Sequence, residues 1–347
     1  MSALNALLAD GVATPVARLH LPERFAAELR LERLAGQDAM SAPFEWTVQA
    51  LGRQGSLDVE SLLGQPAAIE LECPGSLPTA PSGSRYLHGF VSAAGQSGTH
   101  GRFFRYVFVL RPWLWFLTRT TDCRIFQELS APEIAAKVFA DHAPIARFES
   151  RLRRTYAKRR YCVQYRESDY AFVARLLEQD GIGYHFEHAR DGHTLVLTDP
   201  GSERPSIGGS GRLTYHAADG RALGTREIVS GWHQRREVRP GQVVLADFDF
   251  KKPNVPVGGQ AADPRAHDEG DAEAFDYPGA FYNDPASEGE VDDGDTLGDA
   301  RAKVELERRE VAHVEAGGTT NARSVAAGHV FTLTGVTRPE LNGTYLV

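Results

Sequence analysis

Three histidines, His185, His188 and His193, stand close together in the sequence and are the side chains best suited to bind a metal ion. A zinc site needs several such groups on one side of the backbone. The surrounding residues alternate in polarity as in a strand, and on a strand residues 185 and 188 point to opposite faces. Their spacing favours ordinary polar positions, so the sequence predicts no metal and no cofactor.

Two groups of carboxylates could also do chemistry. Glu167 and Asp169 could form a general acid and base pair, but they stand at the predicted start of a helix, where capping accounts for them better. The acidic run 288–295 could bind calcium, yet Asp293 occupies the position that an EF-hand loop gives to glycine. We therefore interpret the pair as a helix cap and the run as a solvated loop.

The sequence contains no convincing motif for a catalytic nucleophile or a nucleotide. Ser97 lies in Gly-Gln-Ser-Gly-Thr and Ser210 in Gly-Gly-Ser-Gly-Arg, and both segments lack the final glycine of a nucleophile elbow. A P-loop is absent, and residues 209–211 lack the third glycine of a dinucleotide fingerprint. We predict no catalytic residue and no enzymatic activity. A hydrolase with an unrecognised site is the competing interpretation.

Two further runs permit either a binding function or a structural one. Residues 151–160 surround Tyr156 with basic side chains, a composition that can grip phosphates. Residues 111–117 are rich in aromatic side chains, which could form a membrane wedge or a carbohydrate platform. A net charge of −8 opposes nucleic-acid binding, and the aromatic run is too short to span a bilayer. We favour a solvated loop and a core corner, with no nucleic-acid partner and no stable membrane insertion.

Length and composition are those of a globular protein with more than one domain. The chain of 347 residues can form two or three domains, and its 42% hydrophobic and 24% charged residues are ordinary values. The N-terminus has no basic segment before an apolar core, so we predict no signal peptide and synthesis in the cytoplasm. Cys73, Cys123 and Cys162 are widely spaced and odd in number, which favours free thiols.

The clearest structural pattern runs from residue 161 to residue 198. Alternation at 161–165 predicts a strand, Ser168 can cap a following helix, and Gly181 can end it. Alternation then resumes from Ile182, and the turn at 191–192 predicts a hairpin. The helix would bury one apolar stripe, made of Phe172, Val173, Leu176 and Leu177.

Short strands are predicted on both sides of this unit. Alternation between residues 17 and 91 indicates an antiparallel sheet with one solvated face. Ser130 and Glu133 form the capping box of a second helix, with Pro132 in its first turn. The later strands are predicted at 228–232, 243–251, 329–333 and 344–347.

The second half of the chain also contains a predicted helix and a predicted excursion. The helix spans about 296–311, with Ala300, Val304 and Val311 on one side. Most of 263–295 is strongly acidic and is predicted to be irregular. The sequence stops within an apolar strand, which we interpret as the mark of an N-terminal fragment.

Several segments resemble, in the same order, the VgrG family of type VI secretion spike proteins. The most distinctive begins Tyr-Cys-Val-Gln-Tyr-Arg-Glu-Ser-Asp and spans 161–182. Other segments that resemble the family are 40–44, 62–66, 88–91, 111–115, 124–127 and 277–279.

The resemblance implies a mainly β fold with an α+β insert. Two related β-barrel-like domains of the phage baseplate hub type would be joined by an α+β region. The domains would be 1–115, the first β-barrel-like hub domain; 116–222, an α+β domain with two helices and a hairpin; and 223–347, a second β-barrel-like hub domain truncated at its C-terminal end.

The resemblance also implies a structural role as a spike and baseplate hub. Three full-length copies would cap the hexameric Hcp tube, carry a PAAR tip protein and effectors, contact baseplate proteins, and be secreted through the type VI apparatus. Two alternatives share the architecture. One is the tail hub of a contractile phage or a related injection machine, and the other is an effector-bearing VgrG with enzymatic activity in a missing C-terminal extension.

Overall fold

Strands dominate the molecule, and they form two groups separated by an α+β region. This arrangement confirms the mainly β fold with an α+β insert. The computed structural model describes residues 16–26, 28–73, 83–217, 227–248, 253–254, 256–265, 267–279, 281 and 297–347.

Residues 17–111 contain one antiparallel sheet of six strands. Alternate residues such as Trp46, Val48 and Phe108 have almost no exposed surface, so the period of two in the sequence matches the buried face. The sheet curls until its edge strands lie near each other beside a short helix, α1, at Glu23–Ala26. The strands are β1 (Ala17–His20), β2 (Leu29–Gln37), β3 (Glu45–Gly52), β4 (Pro66–Cys73), β5 (Gly83–His100) and β6 (Phe103–Arg111), in the spatial order β1-β4-β5-β6-β3-β2.

Strand β5 continues well beyond its neighbour β4. It has 18 residues against 8, and β4 accompanies it only from Gly83 to Phe90. Two β-bulges, after Val91 and after Gln96, bend the remaining part where it pairs with β6. Residues 92–100, called the β5 arm below, therefore have a hydrogen-bonded neighbour on one side only within the described part of the chain.

The α+β region contains a ribbon, two helices and a small sheet. The ribbon pairs β7 with β9, and the sheet has the order β10-β11-β8, with β8 parallel to β11. The two helices pack against each other. The elements are β7 (Thr121–Phe126), α2 (Ala131–Ala140), β8 (Phe148–Ser150), β9 (Cys162–Ser168), α3 (Asp169–Gln179), β10 (Gly183–Ala189) and β11 (Gly192–Thr198).

Both helices begin and end where the sequence predicts. Ser168 accepts a hydrogen bond from the backbone N–H of Ala171 at 3.1 Å, and Ser130 and Glu133 form the capping box of α2. After α3, Gly181 has a φ angle of 67°, which a residue without a Cβ adopts at little cost.

The first sheet and the α+β region share one hydrophobic core. The rings of Phe44 and Phe186 meet edge to face with centroids 5.1 Å apart. The segment before β3 also bonds to β10, because the backbone N–H of Ser41 donates to the carbonyl of Tyr184 at 2.8 Å. These contacts join the two parts into a single packed unit.

The C-terminal part contains two sheets and one helix. A five-stranded sheet has the order β17-β13-β12-β18-β19, and a three-stranded sheet has the order β15-β14-β16. Each has its own apolar cluster. The elements are β12 (Arg212–Tyr215), β13 (Ile228–Arg236), β14 (Gln242–Asp247), β15 (Val257–Ala262), β16 (Glu273–Asp276), α4 (Leu297–Glu310), β17 (Val314–Thr320), β18 (Val330–Thr334) and β19 (Gly343–Leu346).

Helix α4 exists as predicted, and its buried face is not the side that carries Ala300, Val304 and Val311. Ala302 and Leu306 pack into the core, whereas Val311 lies beyond the helix and is 74% exposed. Val304 is only partly buried, against Gly181. The reason is that α4 has few apolar residues, and its position is set by its contact with β15 rather than by a broad apolar stripe.

Other predictions concern the same half of the chain. The predicted acidic excursion contains strand β16, which pairs in parallel with β14, while residues 288–295 and Phe250 lie outside the described residues. The division into domains at 115 and 222 stays a prediction. Strand β12 nevertheless pairs with β13 and β18 of the C-terminal sheet.

Replacing Ser168 with alanine tests the start of α3. The Ser168→Ala change removes the acceptor for the N–H of Ala171 and should lower the free energy of unfolding by about 1 kcal/mol in urea titrations. Ser168→Asp restores an acceptor and should recover most of the loss. Equal losses in the two variants would contradict the capping role.

Candidate functional site

Glu167 and Asp169, which the sequence favours as a helix cap over an acid and base pair, do not form a shared site. Glu167 binds Arg175, with Oε1 2.6 Å from Nη2. Asp169 turns inward and is only 5% exposed. Ser168 caps helix α3, whereas Asp169, which the sequence predicts to be part of the cap, binds other side chains.

Asp169 is the centre of a buried hydrogen-bond network. Its Oδ1 accepts from Arg124 at 2.6 Å and from Gln164 at 2.8 Å, and its Oδ2 accepts from Thr120 at 2.9 Å. His142 Nε2 lies 3.2 Å from Oδ2. Burial alone would raise the pKa of Asp169, but the hydrogen bonds outweigh it and the pKa is lowered. The charged carboxylate thus ties the ribbon to both helices.

A second buried polar cluster joins the first sheet to the β10-β11 hairpin. His88 on β5 and His193 on β11 have their Nδ1 atoms 2.9 Å apart. The backbone N–H of Trp113 donates to His193 Nε2 at 3.0 Å, and the backbone N–H of His88 donates to His188 Nδ1 at 3.3 Å. Phe44 packs against the rings of His188 and His193. We call His88, His188 and His193 the histidine joint.

These contacts determine which ring nitrogen carries the proton in each histidine of the joint. Because His193 accepts at Nε2, its Nδ1–H donates to His88, so the proton of His88 is on Nε2. His188 accepts at Nδ1 and therefore also carries its proton on Nε2. Burial lowers the pKa of His88 to about 4 and that of His188 to about 3, and it holds the pKa of His193 well below its usual value. The joint is a contact between uncharged rings.

The three histidines considered as metal ligands thus divide between the two faces of the β10-β11 hairpin. His185 points away from the joint, is fully buried, and has its ring centroid 5.8 Å from that of His329. Within the described ranges, no three His, Cys, Asp or Glu side chains are arranged so that they could hold a metal ion. The short contact between His88 and His193 is a hydrogen bond, which uses the nitrogen atoms that a metal would need.

A third buried contact links the first sheet to the C-terminal part. The Arg85 guanidinium donates to the carbonyl oxygens of Arg323, at 2.9 Å, and Val325. Glu227 accepts from the backbone N–H of Arg323 at 2.8 Å and from the Ser324 hydroxyl at 2.5 Å. Sequence reasoning missed Arg85 and His88, because their partners lie far away along the chain and no local spacing indicates such a contact.

Two arginines of the basic run 151–160 bind carboxylates of the same protein. Arg151 binds Glu149 and Glu187 through bonds of 2.8 and 2.5 Å, and Arg159 binds Asp180 at 2.8 Å. These pairs use guanidinium groups that a nucleic acid would otherwise contact. The arrangement supports the structural interpretation of the run.

The aromatic run 111–117 lies at a core corner, as predicted. Trp113 is fully buried, and its Nε1–H donates to the carbonyl of Arg147 at 3.1 Å. Trp115 lies between the guanidinium groups of Arg111 and Arg119, 4.8 and 4.4 Å from its ring centre. None of the helices in the described part of the chain has the length and apolar character that a membrane crossing requires.

Two apolar surfaces remain exposed in this structure. On the ribbon β7-β9, Cys123 faces Tyr165 and Ile125 faces Val163, and Tyr165 and Ile125 are 66% and 60% exposed. A groove of about 460 Å³ lies between β17 and β19. The rings of Trp232 and Tyr345 in its lining are 4.7 Å apart. Surfaces of this kind bind protein more readily than they bind a small polar substrate.

The Asp169 network can be tested by two substitutions at one position. Asp169→Ala leaves the donors of Arg124, Gln164 and Thr120 without an acceptor and should cost about 3 to 5 kcal/mol of unfolding free energy. Asp169→Asn keeps one acceptor and should cost less. Glu167→Gln breaks a more exposed pair and should cost under about 1 kcal/mol. Similar costs for all three variants would contradict a buried network.

The histidine joint predicts a loss of stability in mild acid. Between pH 6.5 and 4 the unfolded chain protonates His88, whereas the folded chain leaves it neutral, with burial the first cause and Arg147 the second. The free energy of unfolding should therefore fall as pH falls, by about 1.4 kcal/mol per pH unit for each such histidine. His188 acts in the same direction down to about pH 3.

The variant His88→Gln keeps an acceptor for His193 and removes one titrating group. Urea titrations between pH 6.5 and 5 should give it a shallower dependence on pH than the parent. Ser97→Gln, an exposed change on the same strand, should keep the parental slope. A parental slope in His88→Gln would show that His88 is not neutral in the folded state.

Comparison with known proteins agrees with the architecture described above. Residues 37–347 match the profile of a family described as phage tail baseplate hub (GPD). The chain is 37% identical to the type VI secretion system spike protein VgrG1c of Pseudomonas aeruginosa over 321 residues, which cover 92% of this chain and 41% of that protein. It is 36% identical to VgrG1a of the same organism, with 92% and 47% covered. The chain thus spans less than half the length of these relatives.

Solved structures show the same fold. One is the Escherichia coli c3393 protein, which is described as a component of the type VI secretion system with structural similarity to the T4 bacteriophage tail proteins gp27 and gp5. It superposes on this chain with a TM-score of 0.63 at 20% identity, and the match covers 93% of this chain and 68% of that one. A tail protein from Neisseria meningitidis gives a TM-score of 0.60 at 11% identity, with 96% and 89% covered. The chain belongs to the phage tail baseplate hub family, and within that family it is similar to the VgrG spike proteins of type VI secretion systems.

Proposed function

We propose that this chain is the hub part of a type VI secretion spike and that its role is structural. The observation that carries the proposal is the family match over residues 37–347, together with relatives that are spike proteins. The buried polar groups support it, because Asp169, Arg85 and the histidine joint bind other parts of the same chain. None of them lines the groove between β17 and β19.

In the proposed assembly three copies of the full-length protein form a ring. Each chain brings two β regions, the curled first sheet and the C-terminal sheets, so three chains offer six β regions. Such a ring has the symmetry needed to cap the hexameric Hcp tube. The shared core of the first sheet and the α+β region makes each subunit a rigid part that can transmit a push.

The remaining partners follow from the same role. The needle end of the full-length spike would carry a PAAR tip protein and effectors, and the outer surface would contact baseplate proteins. The protein would be made in the cytoplasm and secreted through the type VI apparatus without a signal peptide. It would be neither an enzyme nor a nucleic-acid-binding protein within these residues.

A second candidate is the tail hub of a contractile phage. The fold similarity to the tail proteins of Neisseria meningitidis and Shewanella oneidensis, with TM-scores of 0.60 and 0.58, favours it. An effector-bearing spike is a variant of the first proposal, because the relatives are more than twice as long as the matched region. Neighbouring genes for a secretion ATPase would favour the spike, and genes for a phage capsid would favour the tail hub.

Electron microscopy and a mass measurement of the full natural protein test the proposed ring. Negative-stain electron microscopy should show a three-fold ring on a stalk, and light scattering should give the mass of three chains. The chain of residues 1–347 alone provides a comparison, because loss of the stalk should weaken the trimer. A single-chain mass for the full natural protein at every concentration would contradict the proposal.

A further inference from the structure

The β5 arm has an open outer edge. Its backbone pairs with β6 from Ala93 to His100, and no described residue pairs with it on the other side. The last bonds on that side join Val91 to the segment at Gly64 and Gln65. A free strand edge presents backbone N–H and C=O groups that can accept another strand.

Strand β17 has a second open edge on a different sheet. It pairs with β13 along its whole length, from Val314 to Thr320, and it is the last strand of its sheet. Its residues are mostly exposed, with Val314 at 43%. No backbone partner on its outer side is found among the described residues.

Several other sheet edges are short, charged or covered. Strand β2 carries Arg30, Glu32 and Arg33, and charges of this kind discourage edge pairing. Strand β15 lies beside α4, where Asp299 accepts the backbone N–H of Gln260 at 2.8 Å. Strands β1, β8, β16 and β19 have four residues or fewer.

The β5 arm and β17 are longer than these four strands, and Glu315 is the only Asp or Glu side chain in either. Neither contains lysine, arginine or proline. Most of their side chains are small or polar. The two bulges bend β5, so its open edge can pair with a strand that belongs to a curved sheet.

We propose that the β5 arm of one copy pairs with β17 of the next copy, so that the first sheet of one subunit continues into the C-terminal sheet of its neighbour. The contact joins two different surfaces, and such a head-to-tail contact forms a closed ring when the rotation per subunit closes. The inference rests on the proposed ring and names the strands that hold it together.

Opposite charges at the ends of the two strands favour a second copy of this chain as the partner. The turn after the β5 arm carries Arg102, and β17 carries Glu315 near its start. An antiparallel pairing brings this basic turn next to Glu315. The opposite charges favour a second copy of this chain over an unrelated strand.

Cross-linking in the full natural protein tests the pairing. The double variant Gln96→Cys/Ala316→Cys places one thiol at the middle of each exposed edge, in a background with Cys73→Ser and Cys123→Ser. Neighbouring strands lie about 4.8 Å apart, so a short bis-maleimide can bridge the two thiols. We expect a ladder that ends at three linked chains on a denaturing gel.

Matched variants separate the outcomes. Each single-cysteine variant should stay unlinked, because its partner edge lacks a thiol. The variant Ala35→Cys/Ala316→Cys, with the first thiol on β2, should also stay unlinked. Linked dimers from the Gln96→Cys single variant would mean that β5 pairs with β5 and would overturn the proposal. A three-chain mass by light scattering without linkage in the double variant would overturn this pairing but leave the ring intact. A single-chain mass would overturn both.

Discussion

The contact between the first sheet and the β10-β11 hairpin is the constraint on which the rest of the structure depends. Phe44 packs on Phe186, Ser41 bonds to Tyr184, and the histidine joint closes the polar part of the contact. One core therefore continues from the six-stranded sheet into both helices. Because the three rings are neutral, this contact avoids the cost of burying charge.

This constraint explains why the polar residues of the interior do not indicate catalysis. Burial and hydrogen bonds perturb the pKa of Asp169, and burial together with the charge of Arg147 lowers the pKa of His88, as such effects do for many catalytic residues. Here the hydrogen-bond partners belong to other structural elements, such as Arg124 on β7 for Asp169 and His193 on β11 for His88. The perturbed groups hold elements together.

Local features could be predicted from the sequence, whereas long-range contacts could not. Ser168, Gly181 and the Ser130 capping box act within a few residues of themselves, so their patterns gave the correct helix ends. The buried face of α4 could not be predicted from the sequence, because packing on β15 decides it. The contact of His88 with His193 spans 105 residues, and no spacing in the sequence reveals it. The family resemblance supplied the fold class that periodicity left open.

The central claim is that these residues form a subunit of a three-fold ring that caps a six-fold tube. Native mass spectrometry of the full natural protein mixed with the purified six-subunit Hcp ring tests it most directly. The account predicts one dominant complex of three chains with one six-subunit ring. Absence of a complex, or one chain bound to one tube subunit, would contradict it.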